Sequence, residues 1–127
     1  WQLTGVESKQ RKAAFVESAA KALGLVNCRA LARRAREAAR LPAIRHQFDL
    51  VVARAVSGTA ELIRECRALL REDPSSAMVL YKTPDAVQDE WDAGERAAAK
   101  VGWQLQRSDP FELPHGQGTR QFVIARR

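Results

Sequence analysis

The spacing of apolar residues along the chain predicts strands that alternate with helices. Segments rich in apolar and β-favouring residues predict six strands, at 1–6, 26–31, 48–53, 77–82, 103–107 and 120–125. Apolar positions three and four residues apart predict four helices, at 8–23, 33–45, 59–71 and 84–101. The alternation indicates an α/β sheet of doubly wound type, in one domain over residues 1–127.

Details of the pattern predict how these elements pack. The run 48–53 is apolar enough for a strand buried on both faces of a parallel sheet. The prolines and glycines of 108–119 predict a loop between the last two strands, which would let them pair antiparallel at the sheet edge. Two helix faces are predicted to point inward. They are Ala14, Phe15, Ser18, Ala19, Ala22 and Leu23 in the first helix, and Leu62, Ile63, Cys66, Leu69 and Leu70 in the third.

Composition adds a basic balance of 21 Lys and Arg against 15 Asp and Glu, a net charge of +6. The basic residues are mostly arginine, whose planar guanidinium suits phosphate, so a polyanionic partner is favoured over an acidic small substrate. The alternative is an ordinary solvated surface. Cys28 and Cys66 match no metal-ligand spacing and are expected to be buried free thiols in a reducing cytosol. No apolar run approaches a membrane span, so a soluble cytoplasmic chain is expected.

Ligands of open parallel sheets bind at the carboxyl ends of the strands, which draws attention to charged residues that follow the apolar runs. Glu7 could accept hydrogen bonds from both hydroxyls of a ribose, or it could be an ordinary acid at a helix start. Arg54 could pair with a carboxylate or phosphate of a ligand, or with an acid on a neighbouring loop. Lys82 is a weaker candidate of the same kind. Neither His46 nor His115 has a partner at metal-ligand spacing, and both are expected in loops.

Four motifs in this order resemble one known family. They are Val6-Glu7-Ser8-Lys9-Gln10-Arg11-Lys12-Ala13-Ala14-Phe15, Phe48-Asp49 leading to Ala53-Arg54-Ala55-Val56, Leu80-Tyr81-Lys82, and Arg120 in the last strand. Together they are similar to the GidB/RsmG family over essentially all 127 residues, and the first two motifs are the most distinctive. The resemblance implies a Rossmann-like, three-layer methyltransferase fold, with a mostly parallel sheet and a C-terminal antiparallel strand pair.

The resemblance also implies the chemistry and the residues that perform it. The activity would be methyl transfer from S-adenosyl-L-methionine to N7 of a guanine in 16S rRNA, with the small ribosomal subunit as partner. Guanine N7 carries a lone pair and no proton, so orientation and electrostatics can supply the catalysis. By family position, Glu7 would lie near the cofactor ribose, Ala35 and Arg36 beside the adenine, and Arg54 at the cofactor or the base, as the catalytic residue. The residues expected to face RNA are Lys9, Arg11, Lys12, Lys82 and Arg120.

The sequence departs from the family pattern at several places. Relatives begin with helices, a central strand and a glycine-rich cofactor loop that this sequence does not show, so an N-terminally incomplete sheet is expected. Arg36 stands where relatives carry an acid, and Ser75, Ser76 and Thr83 replace typical glycines. Two alternatives therefore stand beside a methyltransferase. One is a non-catalytic RNA- or ribosome-binding remnant, and the other is a remnant that self-associates through its incomplete sheet.

Overall fold

Helices and strands alternate along the chain in the predicted order in the computed structural model, which describes residues 1–54 and 56–127. Ala55, part of the second motif, lies outside the described residues. The chain divides into two compact units, Trp1–Arg45 and His46–Arg127. The expectation of one domain over 1–127 stays a prediction.

The first unit contains β1 (Leu3–Val6), α1 (Gln10–Ala22), β2 (Cys28–Leu31) and α2 (Ala35–Ala38). The two strands pair in parallel, from Leu3 beside Cys28 to Val6 beside Leu31. The helix predicted over 33–45 is confined to α2, because Pro42 has no backbone N–H and cannot continue the helical hydrogen bonds.

The buried side of α1 differs from the predicted face. Ala13 and Ala20 are buried, whereas Ala14 is exposed and Phe15 is 72% exposed. Alanines occur all round this helix, so spacing alone did not fix which side packs. A Cβ placed on Gly5 would lie 3.6 Å from Val16 Cγ1, so α1 contacts β1 closely at a residue without a side chain.

The second unit contains the remaining elements in chain order. They are β3 (Leu50–Arg54), α3 (Thr59–Cys66), β4 (Ala77–Lys82), α4 (Pro84–Ala99), β5 (Gln104–Arg107), β6 (Phe111–Glu112) and β7 (Thr119–Arg126), with short 3₁₀ turns at Arg67–Leu69 and Pro114–Gly116. The strand order is β3-β4-β7-β5, and β6 pairs with β7. Because β3 and β4 are parallel while β5 and β7 are antiparallel, the predicted α/β fold with a C-terminal antiparallel pair is confirmed. The two-residue β6 was missed inside the predicted loop.

The core of the second unit lies between one face of this sheet and the helices α3 and α4. Met78 and Leu80 of β4 and Val123 and Ala125 of β7 are buried there, and the whole predicted inward set of the third helix is buried as well. Gly94 of α4 allows the helices to approach, since a Cβ at this residue would lie 2.9 Å from Thr59 Cγ2.

The prediction that 48–53 is a strand buried on both faces is wrong. Leu50 and Val52 are 46% and 65% exposed. Successive side chains of a strand point to opposite faces, so Val51 and Ala53 face the helices while Leu50 and Val52 face away. Within the described ranges, β3 pairs with β4 alone and β1 with β2 alone, so both strands have an edge without a strand partner.

A charged network joins three elements of the second unit. Lys82 Nζ at the end of β4 lies 2.8 Å from Glu90 Oε2 on α4, and the same oxygen accepts the backbone N–H of Thr59, the first residue of α3, at 2.7 Å. Burial raises the pKa of Glu90, but the hydrogen bonds from Lys82 and Thr59 outweigh it, so the pKa lies below its ordinary value of 4.5.

Among the described residues, none of the helices is both long and apolar enough to cross a membrane. The two cysteines are free thiols, but only Cys66 is buried, and the prediction that both are buried is wrong for Cys28, which is half-buried.

The change Glu90→Gln should lower the free energy of unfolding at pH 7 by about 1–3 kcal/mol, because a hydrogen-bonded charge is lost. A lowered folded-state pKa means that the contribution is complete above pH 4.5 and lost as the pH falls through the folded-state pKa. Urea denaturation at pH 7 and pH 3 measures the free energy of unfolding of the wild-type chain and of Glu90→Gln. The difference between these two free energies should be smaller at pH 3. The prediction would be contradicted if the difference in stability between the wild-type chain and Glu90→Gln were the same at both pH values. It would also be contradicted if Asp89→Asn, at the exposed neighbour, lowered the free energy of unfolding equally.

Iodoacetamide at pH 8 should modify Cys28 well before Cys66. Burial, together with the neighbouring charge of Glu65, raises the pKa of the Cys66 thiol to about 11, so little reactive thiolate forms. Peptide mass mapping over time measures the order, and Cys66 should react fully only in denaturant. Equal rates in the folded chain would show that α3 opens readily.

Candidate functional site

A pocket of about 400 Å³ lies at the carboxyl ends of the parallel strands β3 and β4, inside the second unit. Four of its nine lining residues are charged, and one is aromatic. The residues that form it are Arg54, Val56, Ser57, Tyr81, Lys82, Thr83, Ala86, Glu90 and Arg120. Three of the residues predicted from the sequence, Arg54, Lys82 and Arg120, therefore meet at one place.

Arg54 ends β3 and lies beside Tyr81 in the strand register. Its guanidinium carbon is 5.6 Å from the centre of the Tyr81 ring, within the range of a cation–π contact. No carboxylate of the described residues forms an ion pair with it, so the alternative of a pairing with a loop acid is not what the structure shows. The stacked guanidinium leaves its N–H groups able to bind an acceptor.

Tyr81 belongs to a cluster of three aromatic rings. Its ring centre is 6.2 Å from that of Phe111 and 5.7 Å from that of Phe122, and these two phenylalanines are 5.0 Å apart. All three are half-buried. The contacts with the two phenylalanines hold the Tyr81 ring in place, and this is the ring that Arg54 contacts.

The two other cations of the pocket differ in how they are engaged. The Lys82 side chain is only 10% exposed, and its ammonium binds Glu90 and donates to the Ser57 carbonyl at 3.1 Å. Arg120, at the start of β7, is half-buried and donates to the neighbouring Thr119 carbonyl at 2.8 Å. The pocket thus contains one neutralised cation and two arginines.

The first unit carries the other predicted residues. Glu7 follows β1, and its backbone N–H donates to the Leu31 carbonyl, which extends the strand pairing by one residue. Its Oε1 accepts the Lys9 backbone N–H at 2.7 Å, as an acid at a helix start does. No described residue donates a hydrogen bond to its Oε2.

Because β1 and β2 are parallel, Glu7 lies at the same sheet edge as the residues that follow β2. Those residues lead into α2, where Ala35 is half-buried and Arg36 is exposed. The four-residue α2 is held at its start by Arg34, whose backbone N–H donates to Glu37 Oε2 at 3.3 Å. Glu7 and the segment of Ala35 and Arg36 are therefore brought to one edge of the first unit.

Three basic residues stand at the N-terminal end of α1. Lys9, Arg11 and Lys12 are exposed, and the first turn of the helix contains no acid. A helix N-terminus carries partial positive charge, so three cations there are unfavourable for the isolated helix. An anionic partner would remove that repulsion.

Sequence reasoning missed Glu90 and the aromatic cluster. A signal for Glu90 did exist: it lies three residues after Val87 and four before Gly94, on the buried side of α4. An acid on an otherwise apolar helix face needs a partner. The aromatic cluster had no comparable signal, since Phe111 lies in a segment that reads as a loop.

The model of the family described as rRNA small subunit methyltransferase G, or GidB, matches residues 1–119. A relative from Deinococcus deserti, a ribosomal RNA small subunit methyltransferase G, is 37% identical over 123 residues, which are 97% of this chain and 49% of the relative. The chain thus spans about half the length of the curated relatives that it matches.

Solved structures show the same fold at low sequence identity. Fibrillarin from Aeropyrum pernix, in complex with S-adenosyl-L-methionine, matches with a TM-score of 0.68 and 15% identity over 98% of this chain and 55% of its own. The branched-chain polyamine synthase from Thermus thermophilus matches with a TM-score of 0.69 and 21% identity over 98% and 43%. These structures show the fold and not the reaction. The match over residues 1–119 shows that this chain belongs to the rRNA small subunit methyltransferase G family.

Proposed function

We propose that this chain forms the cofactor and base sites of an S-adenosyl-L-methionine-dependent methyltransferase that modifies N7 of a guanine in 16S rRNA. The observation that carries the proposal is the pocket at the ends of β3 and β4, where Arg54 stacks on Tyr81 beside Arg120. Family membership supplies the reaction class, and the pocket supplies a place for a base.

The residues of the first unit suit the nucleoside part of the cofactor. Glu7 Oε1 is occupied by Lys9, but Oε2 is able to accept a ribose hydroxyl. Ala35 and Arg36, at the same sheet edge, would lie beside the adenine. Because Arg36 is a cation where relatives carry an acid, its contact with the adenine would come from the backbone. The role proposed for Arg54, at the cofactor or the base, is taken from its family position.

When bound, the cofactor supplies a methyl group on a positively charged sulfur, which a neutral nucleophile can accept. The N7 lone pair of guanine would accept this methyl group, and the neutral thioether of the cofactor would be the leaving group. No proton moves in this step, so no general base is required. The protein has to hold N7 in line with the methyl group.

The pocket suits a reaction that needs no base. Among its lining residues Glu90 is the acid, and its Oε2 already accepts hydrogen bonds from Thr59 and Lys82. Guanine presents O6 next to N7, and an arginine N–H can donate to O6 while N7 stays open to the methyl group. We assign this role to Arg54, with Arg120 and Lys82 as the RNA-facing cations of the pocket.

The basic start of α1 would bind the phosphates that flank the target. Lys9, Arg11 and Lys12 form an exposed cluster without an acid in the first helical turn. The proposed partner is 16S rRNA or the small ribosomal subunit, and the proposed location is the cytoplasm.

A second candidate is a non-catalytic RNA- or ribosome-binding remnant. The same basic cluster favours it, because phosphate binding requires neither the cofactor nor the pocket. Self-association through the strand edges of β1 and β3 is a further proposal, and sedimentation at several concentrations would detect it.

The proposed function predicts that Arg54→Ala weakens cofactor binding about tenfold or more, since a charged hydrogen-bonding group is lost. Calorimetric titration of S-adenosyl-L-methionine and S-adenosylhomocysteine into the 127-residue chain measures this. Arg64→Ala, which removes an exposed arginine of α3, is the matched control and should leave the affinity unchanged. Equal affinities of the wild-type chain, Arg54→Ala and Arg64→Ala would show that Arg54 does not contribute to cofactor binding.

Activity is tested after joining this chain to the remaining half of the Deinococcus deserti relative. Incubated with undermethylated small subunits and cofactor, the fusion should form 7-methylguanosine in 16S rRNA, detected by mass spectrometry of the digested RNA. Arg54→Ala should abolish the product. RNA binding without any product from a folded fusion would contradict the proposal and favour the non-catalytic candidate.

The triple change Lys9→Ala, Arg11→Ala and Lys12→Ala should weaken binding to 16S rRNA fragments. It should also reduce the slope of log affinity against log salt by about 2 to 3, because fewer counterions are released. Filter binding from 50 to 300 mM salt measures both. Replacement of Arg64, Arg67 and Arg71 by alanine is the control of equal charge, and an equal change in slope would show a general charge effect.

A further inference from the structure

We propose that Glu90 is a positioning residue for the base pocket, because it fixes the segment 56–59, whose residues Val56 and Ser57 line the pocket together with Arg54. The inference rests on the proposed function, in which this pocket receives the guanine. It assigns Glu90 and Thr59 a role that the family motifs in the sequence do not indicate.

Four residues form what we call the Glu90 clamp: Ser57, Thr59, Lys82 and Glu90. Glu90 Oε2 accepts the Thr59 backbone N–H at 2.7 Å, the Thr59 hydroxyl at 2.7 Å and the Lys82 ammonium at 2.8 Å. Lys82 Nζ also donates to the Ser57 carbonyl at 3.1 Å. One carboxylate oxygen and one ammonium thus join the end of β4, the loop after β3, the start of α3 and the middle of α4.

The start of α3 depends on this acid because it has no side-chain cap of its own. The N-cap residue is Gly58, which offers no oxygen for the first N–H groups of the helix. Glu90 supplies the acceptor from another helix and places a negative charge at the positive end of α3. A Cβ on Gly58 would lie 3.9 Å from Glu90 Cδ, so the carboxylate sits directly at the helix start.

Packing leaves Thr59 little freedom to find another acceptor. It is 2% exposed, and its methyl group lies against Gly94 of α4 at a distance that a larger residue would not allow. The clamp therefore holds Thr59 by charge on one side and by contact on the other.

Ser57 of the clamp lies three residues after Arg54 in the chain, and both residues line the pocket. Arg54 is fixed by the pairing of β3 with β4, where it lies beside Tyr81, the residue before Lys82. Val56 and Ser57, which line the pocket, thus lie between the strand pairing and the clamp. Without the clamp, that wall would lose one of its two attachments, and Arg54 would lose a fixed neighbour.

The test compares the wild-type chain with Glu90→Gln and Asp89→Asn. Asp89 is the exposed neighbour on α4, so its change removes the same charge without touching the clamp. In ¹H–¹⁵N spectra, Glu90→Gln should shift the Thr59 amide proton upfield and broaden the Arg54 Nε–H signal, while Asp89→Asn should leave both in place. Titration with guanosine, which has no phosphate for the released Lys82 to bind, should give a Kd raised about threefold or more for Glu90→Gln and an unchanged Kd for Asp89→Asn, because effects at contacting residues are coupled.

Lys82→Met and the double variant with Glu90→Gln complete the test. In the ¹H–¹⁵N spectra, the double variant should broaden the Arg54 Nε–H signal no more than the stronger single change, because the Lys82–Glu90 contact is lost in both single variants. Thr59→Val is measured in the same way if Glu90→Gln does not fold. This change keeps the shape of the side chain and the backbone N–H, and it removes the hydroxyl that donates to Glu90.

An unchanged Arg54 signal in a folded clamp variant would overturn the proposal, and so would a Kd that changes no more than in Asp89→Asn. If the wild-type chain itself does not bind guanosine, the base pocket of the proposed function fails. The spectra then decide on the clamp alone, since they need no ligand.

Discussion

The rim of the pocket in the second unit depends on one carboxylate oxygen that accepts three hydrogen bonds. Glu90 Oε2 receives two donors from Thr59 and one from Lys82, and none of these groups could be buried at low cost without it. A partly buried ion pair is weak evidence for stability in general. Here its geometry matters more, because it joins two helices and the end of a strand at the rim of the pocket.

The pocket follows from strand direction. Parallel pairing of β3 with β4 brings the ends of both strands to one edge, and antiparallel pairing of β7 with β4 brings the start of β7 to that same edge. Arg54, Tyr81 and Arg120 are far apart in sequence and meet there for this reason. The same rule places Glu7 and the residues that lead into α2 at one edge of the first unit.

Charge is distributed unevenly between these places. In the pocket, Lys82 is neutralised by Glu90, whereas Arg54 stacks on an aromatic ring and forms no ion pair within the described ranges. At the start of α1, three cations stand at the positive end of the helix without an acid in the first turn. Cations that no described carboxylate neutralises leave positive charge available to an anion, and both features agree with membership of the rRNA small subunit methyltransferase G family.

The sequence by itself determined the order of the elements, the inward side of α3, the C-terminal strand pair and the family. It could do so because hydrophobic periodicity, proline and glycine act locally, and because the motifs around Glu7 and Arg54 are distinctive. It predicted Arg54, Lys82 and Arg120 as site residues, and the pocket brings these three together.

Only the tertiary structure decided the remaining features. The packed side of α1 is set by contact with the sheet, since alanines surround the helix and spacing cannot choose among them. The exposure of Leu50 and Val52 depends on what covers a strand face, which an apolar run does not record. The partners of Glu90 and the stacking of Arg54 on Tyr81 depend on residues that strand register and helix packing bring together. Contacts of this kind are made across the fold, and so they leave little trace in local sequence.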